Sequence, residues 1–190
     1  MLTTPFDVRR FIAVYDEVLP PALCQRLVEN FLAAAPHQVR NREGVREGME
    51  ASSYTELNVS GLAEPDLHRG FEITLLKHFD LYNAQLGLSR PVTPVKRISD
   101  LIMKHYQVSQ HDRFQIHFDA IHQHANRYLV FLWYLNTVAE GGETWFPDLE
   151  LKIAPKAGRL LIFPPYWMFQ HAGLAPLSED KYIISTYAIF

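Results

Sequence analysis

The sequence is poor in cysteine, since Cys24 is the only one among 190 residues. A single thiol excludes an intrachain disulfide, and it excludes a metal site built from several thiolates. It also fits a reducing compartment, so we expect a cytoplasmic protein. Cys24 itself falls on the apolar face of a predicted helix, where free cysteine usually serves as a small core residue.

Long hydrophobic runs and clusters of basic residues are also missing. No stretch approaches the length of a membrane span, and Asp7, Arg9 and Arg10 occupy the region where a signal peptide would need its apolar segment. The formal net charge is −3. Such a chain is not expected to bind nucleic acid or a membrane as its main partner. We expect a small-molecule or peptide substrate, and the sequence leaves the oligomeric state open.

Hydrophobic residues make up 48% of the chain, which is enough to build one domain over residues 1–190. The first part, residues 1–96, predicts a strand at 11–18 and then two helices. One helix begins near Pro21, and the other covers 64–86; both have apolar residues at helical spacing.

Between the two predicted helices lies a polar, charged segment. Residues 37–50 contain three Arg, three Glu and two Gly with almost no apolar periodicity, which predicts an exposed loop.

The second part, residues 97–190, has a different character. The segments 97–108, 127–135, 159–163 and 181–189 are rich in β-branched and aromatic residues and are separated by Gly, Pro and Asp. The fold class predicted from the residues is therefore α+β and mainly β, with helices packed beside a closed or double-layered β core.

Three residues of this second part form a candidate metal site. His117 and Asp119 stand two positions apart, which on a strand puts both side chains on one face, and His171 follows much later in the chain. Two neutral imidazoles and one carboxylate suit Fe(II) and leave three coordination positions open. The motif is weak by itself, because pairs of this kind occur by chance.

The residues around this motif resemble the prolyl-4-hydroxylase-like branch of the iron(II)- and 2-oxoglutarate-dependent oxygenases. The matching positions are His117-Phe-Asp119, Arg127, Tyr134-Leu-Asn136, Gly141-Gly-Glu-Thr-Trp-Phe-Pro147, Pro155-Lys-Ala-Gly158, Leu161-Ile-Phe163, His171-Ala-Gly173 and Lys181. The resemblance implies a double-stranded β-helix, which is a jelly roll of the cupin-like type, with flanking N-terminal helices.

The resemblance also implies the site. His117, Asp119 and His171 would bind the metal, Lys181 would pair with the distal carboxylate of 2-oxoglutarate, and Tyr106 and Tyr134 would hydrogen-bond the oxoacid. A dicarboxylate buried away from water needs a fixed cation, which supports the assignment of Lys181. The implied cofactors are Fe(II), 2-oxoglutarate as cosubstrate and O₂, with ascorbate as a reductant.

Four further residues are tentative substrate contacts. His122 lies just beyond the metal motif, and Tyr166 and Trp167 precede His171. Arg127 is seven residues from Tyr134, so strict alternation would put the two on opposite faces unless a bulge intervenes. Residues 37–60 and 120–126 are the candidate substrate loops.

The implied activity is hydroxylation of an unactivated C–H bond with release of succinate and CO₂. The substrate would be a small molecule, an amino acid or a peptidyl residue, proline among them. Two alternatives stay open: a zinc hydrolase or cupin-like enzyme that does not use 2-oxoglutarate, and a non-catalytic binding or sensor module on the same fold.

Overall fold

The computed structural model describes residues 7–44, 48–62 and 65–190. Within these residues the chain forms two α-helices and twelve β-strands, joined by turns and short 3₁₀ segments. The predicted class, mainly β with helices near the N-terminus, is confirmed. Neither described helix combines the length and apolar character that crossing a lipid bilayer requires.

Both helices were predicted from apolar spacing. Helix α1 (Pro21–Ala33) begins on a proline, whose fixed φ suits the first turn, and it buries Cys24, Leu27 and Phe31. Helix α2 (Pro65–Leu86) ends before Gly87, which has a φ of +56°. Glycine adopts this left-handed conformation without strain and so terminates the helix. The predicted first residue of α2, Glu64, lies outside the described residues.

The strands follow one another along the rest of the chain. In chain order they are β1 (Ala13–Tyr15), β2 (Val39–Asn41), β3 (Tyr54–Asn58), β4 (Arg97–Ile98), β5 (Ile102–Tyr106), β6 (Phe114–His117), β7 (Arg127–Tyr134), β8 (Thr144–Phe146), β9 (Leu151–Ile153), β10 (Leu160–Phe163), β11 (His171–Gly173) and β12 (Lys181–Ile189).

These strands form two antiparallel sheets. The large sheet has the order β1-β10-β7-β12-β5-β3-β2, with β4 beside β12, and the small sheet has the order β6-β11-β8-β9. Strands β1, β2 and β3 come from the predicted N-terminal part and are hydrogen-bonded in the same sheet as strands of the predicted β core. Backbone pairing therefore crosses the predicted boundary at residue 97.

The large sheet is the middle of three layers. Phe131 and Trp133 of β7 face the helices, where Phe71 packs edge-on against Trp133 at 5.1 Å between ring centroids. Leu132 and Tyr134 of the same strand face the small sheet. Because alternate residues point to opposite faces, a strand buried on both sides reads as a continuous apolar run.

Some predicted boundaries were wrong. The segment 37–50 was predicted as an exposed loop, but it contains β2, and the candidate substrate loop 37–60 also contains β3. Arg40 of β2 forms an ion pair with the fully buried Asp112. Its Nη1 and Nη2 each donate to one carboxylate oxygen at 2.6 Å. Residues 45–47 of this segment lie outside the described residues. The predicted strand at 11–18 is limited to β1.

Candidate metal centre

The two histidines of the predicted metal site lie directly opposite each other in the small sheet. His117 is the last residue of β6 and His171 the first of β11, and the two are register partners. Their ring centroids are 4.3 Å apart. Together with Asp119 they offer three ligand atoms that all lie within 4.8 Å of one another. Among the described residues, this is the one such group of His, Cys, Asp or Glu side chains.

Main-chain carbonyls orient both imidazoles. Nδ1 of His117 is 2.8 Å from the carbonyl oxygen of Gln115, and Nδ1 of His171 is 3.1 Å from that of Phe169. A ring nitrogen facing a carbonyl must carry the proton, so Nε2 of each ring keeps a free lone pair. Burial, followed by the charge of His117, lowers the pKa of His171 to about 4, which keeps this ring neutral at physiological pH.

The backbone that positions Asp119 differs from the predicted one. The sequence placed it on a strand with His117, but β6 ends at His117 and Asp119 lies in a bend beyond it. The backbone N–H groups of Asp119 and Ala120 both donate to the carbonyl oxygen of Pro165 at 3.0 Å. A loop contact to the segment after β10 therefore positions the carboxylate, in place of strand alternation.

The donor set fits a divalent metal. Oδ1 of Asp119 is 3.5 Å from Nε2 of His117, and Oδ2 is 3.6 Å from Nε2 of His171. Oδ2 is buried and has no hydrogen-bond partner among the described residues. Since buried carboxylate oxygens are normally hydrogen-bonded, a bare one beside the free imidazole nitrogen of His171 is suited to a cation. Two histidines and one carboxylate match the ligand set of non-haem Fe(II).

Burial alone would raise the pKa of Asp119. Contact with His117, the nearby imidazole of His171 and the Tyr187 hydroxyl together favour the ionised form and hold this pKa well below its usual value. The carboxylate is therefore ionised across the physiological pH range and available to a metal.

The three ligands and Lys181 line one cavity between the two sheets. Its apolar walls come from β7, β10 and β12, and its polar lining also includes Lys104, Thr144 and Ser185. The predicted anchor and the predicted metal ligands therefore line the same cavity.

Lys181 is 2% exposed and stands at one side of this cavity. Its Nζ donates to the carbonyl oxygen of Gly142 at 2.9 Å and lies 4.2 Å from the ring centroid of Tyr106. A Cβ on Gly173 would come within 3.5 Å of Nζ. Burial lowers the pKa of Lys181 to about 7, against a smaller opposing effect of Glu143. Desolvation penalises an unpaired ammonium in this way, so the cavity favours an anion beside Lys181.

The two predicted oxoacid tyrosines differ in position. Tyr106 lines the cavity, opposite Lys181 in the β5–β12 register. Tyr134 is fully buried behind the cavity wall, and its hydroxyl donates to Oγ1 of Thr144 at 2.6 Å. Thr144, which the sequence reasoning missed, is the residue of this pair that lines the cavity.

Arg127 lies beside the site, and a β-bulge separates it from the rest of β7. Such a bulge was one of the two interpretations of the sequence. The β12–β7 register shifts between Ala188 and Ile189, so that Ile189 pairs with Arg127. The guanidinium carbon of Arg127 lies 3.7 Å from the ring centroid of Tyr187. Tyr187 in turn donates its hydroxyl proton to Oδ1 of Asp119 at 2.8 Å.

The other tentative substrate residues lie outside the cavity. His122 lines an open groove of about 630 Å³ that also includes His117, so the groove adjoins the metal site. Tyr166 packs against the core cluster formed with the helices, and Trp167 is 66% exposed; neither lines the cavity.

Sequence reasoning missed Tyr187, Thr144 and Lys104 as residues of the site. Lys104 and Tyr106 are two positions apart on β5, and Tyr187 shares a face of β12 with Lys181 by the same alternation. Strand alternation, counted from Tyr106 and Lys181, would therefore have predicted Lys104 and Tyr187 as residues of the same face. Nothing comparable points to Thr144.

The comparisons with known proteins agree with this geometry. The sequence profile described as the 2OG-Fe(II) oxygenase superfamily matches residues 102–189, which include all three ligands and Lys181. Among proteins with curated descriptions, none matches this chain in sequence.

Three solved structures have a similar fold. A viral collagen prolyl hydroxylase from Paramecium Bursaria Chlorella virus-1, in complex with 2OG, is 20% identical with a TM-score of 0.60, covering 93% of this chain and 94% of that one. A Trichoplax adhaerens prolyl hydroxylase, in complex with a hypoxia inducible factor peptide fragment, is 17% identical with a TM-score of 0.69, covering 95% and 84%. A Pseudomonas putida prolyl-4-hydroxylase is 15% identical with a TM-score of 0.65, covering 94% and 92%.

Identities this low support the fold alone, and the profile match covers the three candidate metal ligands and Lys181. The jelly-roll fold expected from the sequence is confirmed, and the profile match agrees with the expected oxygenase superfamily. Fe(II), 2-oxoglutarate and O₂ are the cofactors of that family, and the triad fits the metal. Residues 102–189 are thus similar in sequence to the 2OG-Fe(II) oxygenase superfamily, and the fold is similar to that of prolyl hydroxylases.

Proposed function

We propose that this protein hydroxylates an unactivated C–H bond of a residue in a peptide, with proline as the first candidate. The observation that carries the proposal is the shared cavity, in which Asp119 presents a bare carboxylate oxygen and Lys181 a buried cation. A metal and a dianionic cosubstrate would satisfy both groups at once.

When bound, Fe(II) and 2-oxoglutarate supply the oxidising chemistry, with O₂ consumed and succinate and CO₂ released. The residues of this chain have the other tasks. His117, Asp119 and His171 would hold the metal, and Lys181 would bind the distal carboxylate of the cosubstrate. The apolar walls of the cavity would keep water from the reacting groups. They are formed by Val130, Leu132, Phe163 and Ile183.

The groove outside the cavity supports a peptide substrate. It is open to solvent and lined by the partly exposed Ile116 and Ile121 and by the turn that contains His122. An extended segment lying there would pass beside His117, which lines both spaces. The Trichoplax adhaerens neighbour is described in complex with a peptide fragment, which agrees with this assignment.

The proposal also includes the location, the reductant and the partner of the protein. We propose a cytoplasmic location, since the single thiol of Cys24 is buried and needs no oxidising compartment. Ascorbate would serve as the reductant that keeps the iron in its Fe(II) state. A peptide is the proposed partner, and nucleic acid is not.

The test of the metal site is spectroscopic. Anaerobic protein with Fe(II) and 2-oxoglutarate should develop the weak visible charge-transfer band of a chelated oxoacid. His117→Ala should lose the band, whereas His37→Ala, a matched change of an exposed histidine, should keep it. Absence of the band in folded, iron-loaded wild-type protein would contradict the proposal.

The test of the substrate class is succinate release. Proline-containing peptides, other peptides and free amino acids would be compared at equal concentration, with hydroxylated product identified by a mass increase of one oxygen atom. We expect stimulation by peptides and none by free proline. Stimulation by free amino acids alone would contradict the peptide assignment and leave the oxygenase assignment intact.

A further inference from the structure

The main chain holds Asp119 in place but leaves the direction of its carboxylate undetermined. Two backbone hydrogen bonds to Pro165 fix the bend that carries Asp119. The carboxylate can still turn, because the terminal torsion of aspartate is broad. Both of its oxygens approach an imidazole at similar distances, 3.5 and 3.6 Å. Another contact must therefore decide which oxygen is presented to a metal.

Tyr187 makes that contact. Its hydroxyl lies 2.8 Å from Oδ1 of Asp119 and donates to it. Tyr187 belongs to β12 in the large sheet, whereas Asp119 follows β6 of the small sheet. A hydrogen bond to an ionised carboxylate is stronger than one between neutral groups, so it can hold the carboxylate at one rotation.

Arg127 fixes the ring of Tyr187 from its other side. The guanidinium carbon is 3.7 Å from the ring centroid, and Nη1 donates to the main-chain oxygen of Asp119 at 3.4 Å. A cation over an aromatic face is attracted by the ring and restrains it. Arg127 thus contacts both the tyrosine and the residue that the tyrosine orients.

The second oxygen of Asp119 has a different environment. Oδ2 is buried, and within the described parts of the chain nothing donates a hydrogen bond to it. We infer that Tyr187, restrained by Arg127, is a positioning residue for Asp119. By holding Oδ1 it presents Oδ2 as a single-oxygen ligand, so that the carboxylate occupies one coordination position and leaves the others for the cosubstrates. The inference rests on the proposed metal site.

Tyr187→Phe tests it, because the change removes the hydroxyl and keeps the ring under Arg127. We expect affinity for Fe(II), and for Mn(II) as an air-stable probe, to fall by about 10–100-fold in anaerobic titration calorimetry, the usual effect of losing a partner of a metal ligand. At saturating metal, the Kd of 2-oxoglutarate should also rise, because a carboxylate free to bind through both oxygens takes a position that the oxoacid needs. The metal-free melting temperature should change little.

Tyr182→Phe is the matched control. Tyr182 is on the same strand but stacks on His105 at 4.2 Å between ring centroids, and it does not line the cavity. Loss of the Tyr182 hydroxyl should leave the metal affinity within twofold of wild type. If Tyr187→Phe binds metal as tightly as wild type, or no more weakly than Tyr182→Phe, the inference is overturned.

Two further outcomes keep the test decisive. Wild-type protein that binds neither metal would overturn the proposed function itself, and this result is distinct from equal binding in wild type and variant. Should Tyr187→Phe not fold, Arg127→Met serves instead: a reduced metal affinity with an unchanged metal-free melting temperature supports the inference, and an unchanged affinity overturns it.

Discussion

Lys181 and Tyr106 are register partners on β12 and β5, and the ammonium of Lys181 lies 4.2 Å from the centroid of the Tyr106 ring. The ring covers one side of a cation that is almost completely removed from water. This arrangement lowers the pKa of Lys181 to about 7 by desolvation, so the charge of the residue changes within an accessible pH range.

The first prediction concerns the pH dependence of cosubstrate binding. The anion needs the charged form of Lys181, which is depleted above a pKa of about 7. The Kd of 2-oxoglutarate should therefore rise above this pH, approaching about tenfold per pH unit. Metal-loaded, oxygen-free protein would be titrated at several pH values. Lys181→Arg, charged throughout, should show a nearly constant Kd; a flat wild-type profile would contradict the assignment of Lys181 as the anchor.

The second prediction concerns stability of the metal-free protein. Between the folded pKa of about 7 and the ordinary lysine pKa of 10.5, the unfolded chain binds more protons at Lys181 than the folded one. The free energy of unfolding should thus rise with pH over this interval, by up to about 1.4 kcal/mol per pH unit. Urea unfolding at several pH values measures it. Lys181→Met should lack this contribution, and identical pH slopes in both proteins would show the prediction to be wrong.

The third prediction concerns the ion pair that joins β2 to the turn before β6. Asp112 is fully buried and accepts two hydrogen bonds from Arg40, whose side chain is 27% exposed. Asp112→Asn should lower the unfolding free energy by about 2 kcal/mol, less than for a fully buried pair. The control is Asp7→Asn, in an ion pair with Arg9 whose side chains are both 55% exposed, which should leave the denaturation midpoint unchanged.

The fourth prediction compares two glycines with positive φ. Gly141 has a φ of +74°, and a Cβ there would come within 2.5 Å of the carbonyl oxygen of Ala175. Gly87 has a φ of +56° with open space around it. Gly87→Ala should cost about 1 kcal/mol from backbone strain alone, whereas Gly141→Ala should cost about 1–3 kcal/mol more through the clash. Equal losses in urea denaturation would mean that the turn relaxes.

Local signals in the sequence predicted the elements well where one rule dominates. The apolar spacing of Leu27 and Phe31 predicted α1, and the run from Arg127 to Tyr134 predicted β7. Strand β2 was missed because its stability depends on Arg40 meeting Asp112, 72 residues later. No local pattern contains that contact.

The site shows the same division. The two histidines and Asp119 were predicted from motif spacing, and Lys181 from the family resemblance. The strand geometry assumed for Asp119 was wrong, since a contact to Pro165 positions it. Tyr187 bonds to Asp119 across 68 positions of sequence, and Arg127 joins it through a bulge in the pairing with β12. Both depend on register, which emerges only when the sheets assemble.

The placement of the site between two sheets has a mechanical consequence. His117 and His171 belong to the small sheet, and Lys181 belongs to the large one. A bound oxoacid that reached both the metal ligands and Lys181 would link the two layers. Conversion to succinate with loss of CO₂ would shorten this link, and release of succinate would remove it. The spacing of the layers would then be coupled to the chemical state of the cosubstrate, so hydrogen exchange of β11 and β12 should report each stage of turnover.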